Sequence, residues 1–108
     1  MVITVFRSRV RPEHAADYMK MAAKMKELAA EMPGYISHKG FTAEDGERVT
    51  IVEFESEEAQ RTWAELPAHR KAQQLGRERF YSEFSIHVCK PLRSNSFKLA
   101  QQPDALQK

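Results

Sequence analysis

The 108-residue sequence predicts an α+β fold of the ferredoxin-like kind, a four-stranded antiparallel sheet with both helices on one face. Three observations lead to this class. Apolar residues alternate with a period of two in the first and last parts of residues 1–90, and they recur at helical spacing after the first alternating run. The turn sequence Glu44-Asp45-Gly46 separates two more alternating runs. The elements therefore follow the βαββαβ order.

The first strand covers residues 2–10, which alternate and are rich in β-branched side chains. Because both of its faces carry apolar residues, we expect this strand in the middle of the sheet. Pro12 and Glu13 suit the start of a helix that runs to about Glu31, where Met-Pro-Gly at 32–34 ends it. Its apolar stripe recurs at spacings of three and four, at Ala15, Tyr18, Ala22, Met25, Ala29 and Met32.

Residues 35–42 and 48–55 are predicted to form the two strands of a hairpin. Ser56 is a suitable cap for the helix that follows, and acidic residues come directly after it. The residues at helical spacing on the predicted buried side of that helix are Ala59, Trp63 and Leu66.

Pro67 interrupts this helix, and a second helical piece continues to Gly76, which we expect to end it. The last strand is predicted at residues 80–89, where apolar and polar side chains alternate. These elements form one domain over residues 1–90. Residues 91–108 lose all periodicity, and we expect a polar tail that is mobile or docks on a partner chain.

Composition excludes several classes of protein. The net charge of +2 gives no concentrated basic face for nucleic acid. Cys89 is the only cysteine, which rules out an intrachain disulfide and a multi-cysteine zinc site. The first ten residues do not read as a signal peptide, and no apolar run approaches the length of a membrane span, so we expect a cytoplasmic protein without membrane contact.

The predicted fold leaves one sheet face bare, because both helices cover the other. Packing this face against the same face of a second copy is the simplest way to bury it. We therefore expect a homodimer with twofold symmetry whose two sheets form a dimeric α+β barrel.

The order of the elements resembles that of the antibiotic biosynthesis monooxygenase domain family of dimeric α+β barrels. The sequences that carry the resemblance are MPGYISHKGF after the first helix, DGERVTIVEFES across the hairpin, and a tryptophan followed by HRKAQQLGRERFYSEFSIHV. The likeness covers residues 1–90. It implies a cofactor-independent monooxygenase that oxidises a small aromatic or quinol-type substrate, with no metal and no organic cofactor.

The resemblance also implies which positions to compare. Trp63 matches the tryptophan of the family's pocket, but the asparagine that its oxygenases and haem degraders place beside this tryptophan has no counterpart in residues 1–90. Asn95 in the tail is the only asparagine. Gln73 stands roughly where the haem ligand of the haem degraders would lie, which disfavours haem degradation.

Oxidation of a phenol without a cofactor needs a base and a close-fitting aromatic pocket. His69 is the candidate catalytic base, because histidine titrates near neutral pH and Pro67 can turn it toward a cavity. A structural hydrogen bond at the helix break is the alternative role for His69. The candidate substrate-binding residues are Trp63, Tyr81, His38, Phe6 and Arg79. Each has a plainer alternative as well, in the core, at an interface or in solvent.

Other functions remain open for this fold. A non-catalytic dimer that binds a small ligand, or a stress-associated protein, is the first alternative. A haem-binding or haem-degrading protein and a small-molecule isomerase are less favoured alternatives.

Overall fold

The structure, a computed structural model, describes residues 1–100 and shows the expected α+β ferredoxin-like fold. The strands are β1 (Val2–Val10), β2 (Tyr35–Thr42), β3 (Arg48–Phe54) and β4 (Tyr81–Cys89). The helices are α1 (Ala15–Ala30), α2 (Glu57–Ala64) and α3 (Pro67–Leu75), with a 3-10 turn at Pro12–His14 and a π-helical turn at Gly76–Phe80. The segment 91–100 forms neither helix nor strand, and the rest of the predicted tail lies outside the described residues.

The four strands form one antiparallel sheet in the order β2-β3-β1-β4, so β1 is central as expected. Val5 lies opposite Ile51 on one side and His87 on the other. Residues two apart share a face, and the even-numbered residues of β1 and β3 point toward the helices. Val2, Thr4 and Val52 are buried there.

The core lies where α1 and α2 meet the sheet. It contains Ala29, Val52, Phe54 and Trp63, and Phe54 is completely buried. The half-buried residues around this cluster are Met32, Tyr35, Ala59 and Leu66. The apolar stripes predicted for the first two helices therefore face the sheet.

The ends of the helices follow from local chemistry. The Ser56 hydroxyl accepts a hydrogen bond from the Ala59 backbone N–H at 3.1 Å, which confirms the predicted cap of α2. Pro67 occupies the first turn of α3, where its missing N–H costs nothing. Gly34 has φ of 84°, which lets the chain leave α1 and enter β2 directly.

The predicted stop at Gly76 is confirmed for α3, which ends at Leu75 with Gly76 as its C-terminal cap, but the next residues form a π-helical turn and not an extended chain. Gly76 has right-handed helical geometry with φ of −58°, and the chain continues through the π-helical turn before β4 starts at Tyr81. The glycine is needed for its missing side chain, because a Cβ at this position would collide with the Tyr81 ring and lie 2.9 Å from its Cδ2. Gly76 therefore caps α3 and also allows a close approach of that ring.

The sheet face away from the helices is bare within the single described chain. Its centre is the apolar group Ile3, Val5, Val49 and Ile51, which we call the open face. Ion pairs border it at one end: Arg7–Glu47 at 2.9 Å, Arg9–Asp45 at 2.8 Å and Arg9–Glu83 at 3.1 Å. None of the helices in residues 1–100 is both long and apolar enough to cross a membrane.

Candidate active site

A cavity of about 320 Å³ lies between the sheet and the three helices. Phe6, His38, Trp63, His69 and Tyr81 all line it, so five of the six residues put forward from the sequence share one site. They come from β1, β2, α2, α3 and β4. The fold therefore assembles the cavity from segments that are far apart in the chain.

Arg79 is the residue that the structure leaves out of the cavity. Both Arg77 and Arg79 are exposed, but only Arg77 lines the cavity, where its guanidinium lies 5.7 Å from the centroid of the Phe84 ring. The π-helical turn is the reason, because residues two apart on a helix point in different directions. In a chain that was extended after Gly76, Arg77 and Arg79 would point to the same side, because residues two apart share a face.

Several other residues that line the cavity were not among the six put forward from the sequence. One group lies on α1, one on the inner face of β4, and one faces them from α2 and α3. These residues are Tyr18, Met21, Ala22, Met25, Phe84, Ile86, Val88, Gln60, Ala72 and Gln73. The helical stripe and the strand alternation indicate that most of these side chains point inward. Such periodicity does not distinguish the wall of a cavity from a filled core.

Trp63 lies between two imidazoles. The ring centroid of His69 is 4.2 Å from that of Trp63, with the planes inclined at 60°, and the His38 centroid is 6.3 Å away at 84°. The break between α2 and α3 at Pro67 makes the first contact possible, because residues six apart on one continuous helix would not face each other. Trp63 itself is only 5% exposed.

A hydrogen bond with the Gln73 side chain holds the His69 ring. Its Nδ1 lies 3.1 Å from the Gln73 side-chain Nε2, one helical turn later. Burial lowers the pKa of His69, the backbone carbonyl of Ala64 opposes this shift by favouring the protonated ring, and the nearby His38 adds to the lowering. His69 is therefore kept neutral at pH 7.

His38 is also kept neutral. Burial lowers its pKa most, the positive charges of Lys26 and Arg48 lower it further, and the backbone of His38 itself opposes the shift. Its Nδ1 is buried and has no hydrogen-bond partner within residues 1–100. The same holds for the Thr4 hydroxyl and the Trp63 indole nitrogen, whose side chains line the same cavity. A buried polar atom without a partner costs about 1–3 kcal/mol, so a polar ligand that reached these atoms would gain affinity.

Aromatic rings form the other end of the cavity. Phe6 packs edge-on against Tyr81 at 5.3 Å and against Phe84 at 5.7 Å, and Tyr18 packs against Tyr81 at 5.7 Å. Burial raises the pKa of Tyr81, with a further contribution from Tyr18, so its hydroxyl stays protonated and can donate a hydrogen bond. This end offers flat apolar walls and a phenolic donor.

These features together suit a flat aromatic ligand that carries oxygen. The walls provide surfaces for stacking, Tyr81 provides a donor, and the two histidines provide neutral imidazoles. In the described part of the chain, no three histidine, cysteine or acidic side chains converge in a way that could hold a metal ion.

Comparison with known proteins agrees with this fold. Residues 1–75 match the family model of the antibiotic biosynthesis monooxygenases. The uncharacterized protein YqjZ of Bacillus subtilis (strain 168) is 29% identical over 94 residues, which are 87% of this chain and 82% of that protein.

Two solved structures illustrate the similarity. A Deinococcus radiodurans protein that carries the same family name superposes with a TM-score of 0.81 at 15% identity, covering 91% of this chain and 99% of that chain. SnoaB from Streptomyces nogalater, a cofactor-independent oxygenase, gives a TM-score of 0.67 at 21% identity, covering 83% of this chain and 93% of that chain. At such identities these structures show the shared fold and do not show a shared substrate.

Proposed function

This chain belongs to the antibiotic biosynthesis monooxygenase family, and from that premise we propose that it oxidises a small phenolic or quinol-type aromatic with dioxygen and without a cofactor. The observation that carries the proposal is the pair of neutral imidazoles beside Trp63 in an aromatic cavity. A cavity of about 320 Å³ is at the small end of ligand pockets, which favours a small fused-ring phenol.

The proposed reaction starts with loss of the phenolic proton. A neutral imidazole, for which the sequence suggests His69, accepts this proton, and the electron pair of the O–H bond stays on the substrate oxygen. The resulting electron-rich anion reduces dioxygen and forms a carbon–oxygen bond. One oxygen atom becomes the new carbonyl of a quinone and the other leaves as water, so the substrate supplies all the electrons.

The remaining lining residues bind and orient the substrate in this proposal. Trp63 and Phe6 stack on its rings, and the Tyr81 hydroxyl donates a hydrogen bond to its oxygen. Arg77, in place of the expected Arg79, is the arginine that can attract the developing negative charge.

Oxygen uptake tests the proposal. Wild-type protein is expected to consume one dioxygen per quinone formed from 1-naphthol or anthrone, with no added metal, flavin or haem. Replacing both His38 and His69 with glutamine is expected to remove turnover, whereas His14→Gln, outside the cavity, leaves it unchanged. Equal uptake by the wild type and the double variant would contradict the proposal.

A non-catalytic ligand-binding protein is the second candidate. It is favoured by the lack of an asparagine among the residues that line the cavity, since Asn95 lies after β4 and is exposed. For this candidate, 1-naphthol would quench Trp63 fluorescence saturably while no oxygen was consumed. Haem added to the same protein would leave its own visible absorption unchanged.

We also propose that the protein is a homodimer joined through the open face. Four apolar side chains, Ile3, Val5, Val49 and Ile51, lie side by side there without cover from the described chain. Exposed Leu92, Phe97 and Leu99 follow β4 and are available to dock on the partner.

A further inference from the structure

We infer that His38 accepts the proton of the bound phenol and that His69 is a positioning residue that holds Trp63. The inference rests on the proposed function and deepens it, because it gives the two imidazoles of the cavity separate roles. The ring nitrogens of the two histidines have different hydrogen-bond partners.

The His69 ring already forms a hydrogen bond within the protein. A neutral imidazole has one nitrogen that donates and one that accepts. The Gln73 Nε2 lies 3.1 Å from Nδ1 and can only donate, so Nδ1 accepts and the other nitrogen carries the proton. No lone pair of His69 remains for a substrate.

The packing of His69 indicates what it does instead. Its ring centroid is 4.2 Å from that of Trp63, the shortest ring-to-ring distance within residues 1–100. With Gln73 fixing its orientation, His69 supports the indole. A fixed indole in turn fixes the plane of a ligand that stacks on it.

His38 has a different environment. No side chain within the described part of the chain hydrogen-bonds to its ring, and its Nδ1 has no partner at all. It lies on β2 opposite Val52, in the same row across the sheet as Thr4, and both side chains line the cavity. His38 is therefore the imidazole of the cavity whose Nδ1 is not already used by a donor within the described chain.

The charges around His38 suit a base that takes a proton and then returns it. Lys26 from α1 and Arg48 from β3 are the positive groups near it, and the neutral ring of His69 is close to it from α3. Glu53 on β3 lies on the opposite face of the sheet. Burial and the two positive groups lower the pKa of His38, so it is unprotonated at neutral pH. Once protonated, it is a strong enough acid to give the proton up again.

His38 takes up one proton and returns it within one turnover. The phenolic O–H bond breaks, its electrons remain on oxygen, and a new N–H bond forms on His38. The quinone carbonyl then forms as the C–H bond of the oxygenated carbon and the O–O bond break. The departing oxygen takes that hydrogen and the proton of the imidazolium and leaves as water. His38 is thus regenerated, and dioxygen is the only reagent needed besides the substrate.

Kinetics of His38→Gln and His69→Gln test these roles. His38→Gln is expected to lower kcat at least about 100-fold, with little change in KM, and to remove the fall in rate at acidic pH. Added imidazole is expected to restore part of the rate. His69→Gln is expected to raise KM and shift the Trp63 emission while keeping the acidic fall in rate, and His14→Gln serves as the matched control. The reverse pattern would overturn the inference and leave the proposed function standing.

A second measurement does not depend on turnover. Ring ¹⁵N chemical shifts are followed while 4-nitrophenol, an acidic phenol, is added to the wild-type protein. The His38 nitrogens are expected to shift as the ring accepts a hydrogen bond from the phenol, whereas the His69 nitrogens keep one fixed tautomer. A shift at His69, or at neither ring with nitrophenol bound, would overturn the inference. Failure of the phenol to bind at all would overturn the proposed function together with it.

Discussion

Trp63 belongs both to the core and to the wall of the cavity. Its ring packs on Phe54 with centroids 5.5 Å apart, and its other neighbours are His69 and His38. The core contact fixes the indole, so the imidazoles around it are fixed as well. At this scale the properties of the site depend on burial, because burial is the largest cause of both lowered histidine pKa values.

Burial of His38 and His69 makes the free energy of unfolding depend on pH. Because both pKa values lie below the ordinary 6.5, the unfolded chain binds protons more readily than the folded protein. The free energy of unfolding is therefore expected to decrease as the pH falls from 7.5 through 6.5 and below. Urea denaturation at several pH values between 7.5 and 5.5 measures this decrease.

The control is the variant that carries both His38→Gln and His69→Gln. It is expected to lose much of the pH dependence in this window, whatever its absolute stability. Asp45, whose pKa is lowered by the Glu47 backbone N–H and by Arg9, titrates below 3.8 and so does not interfere. An unchanged pH dependence in the double variant would show that other groups cause it.

At the scale of elements, the junction between α3 and β4 decides which side chains reach the cavity. The π-helical turn at Gly76–Phe80 places Arg77 at the rim of the cavity and Arg79 away from it, and both side chains are exposed. The same turn brings Tyr81 against Gly76 and next to Tyr18. One glycine therefore controls the position of the phenolic donor.

Gly76→Ala tests this role of the glycine. The added methyl group would collide with the Tyr81 ring, so a loss of about 1–3 kcal/mol in unfolding free energy is expected, despite the better helix propensity of alanine. Urea denaturation measures the loss, and near-ultraviolet circular dichroism follows the displaced tyrosine.

Arg79→Ala, in the same turn but exposed, is the matched control and should change the unfolding free energy by no more than about 0.5 kcal/mol. A Gly76→Ala variant as stable as the wild type would mean that the Tyr81 ring moves aside at no cost.

At the scale of the whole molecule, one sheet face carries the helices and the cavity, and the other is the open face. The cavity is also incompletely covered, because Phe84, Ile86 and Val88 on the inner side of the edge strand β4 are exposed. Both features indicate that a single chain leaves apolar surface that a second copy can bury.

Light scattering after size-exclusion chromatography tests the proposed dimer. The wild type is expected to have twice the 12.5 kDa mass of one chain. Replacing both Val5 and Ile51 with lysine places two charges at the centre of the open face, where the residues lie opposite each other, and should give monomers.

Ala23→Lys, on the exposed side of α1, is the control and should remain dimeric. A wild-type monomer, or a double-lysine variant that keeps the dimer mass, would rule out the open face as the interface.

The elements of this fold could be predicted because their causes are local. The alternation of β1, the stripe of α1, the turn glycines, the Ser56 cap and the break at Pro67 each depend on backbone restrictions and on side chains a few residues apart. The inward positions of the helices follow from the same periodicity. For these reasons the sequence by itself determined the fold class, and its motifs indicated the family.

The tertiary structure alone decided the composition of the site. Three pairs in the cavity join residues that are distant in the chain. His38 contacts Trp63, His38 lies level with Thr4 across the sheet, and Tyr18 packs on Tyr81. Only the tertiary packing and the strand register bring these pairs together. The choice of Arg77 over Arg79 depends on a turn whose form is set by the packing of Tyr81 on Gly76. Periodicity shows that a side chain points inward, but it does not show which partner it meets there.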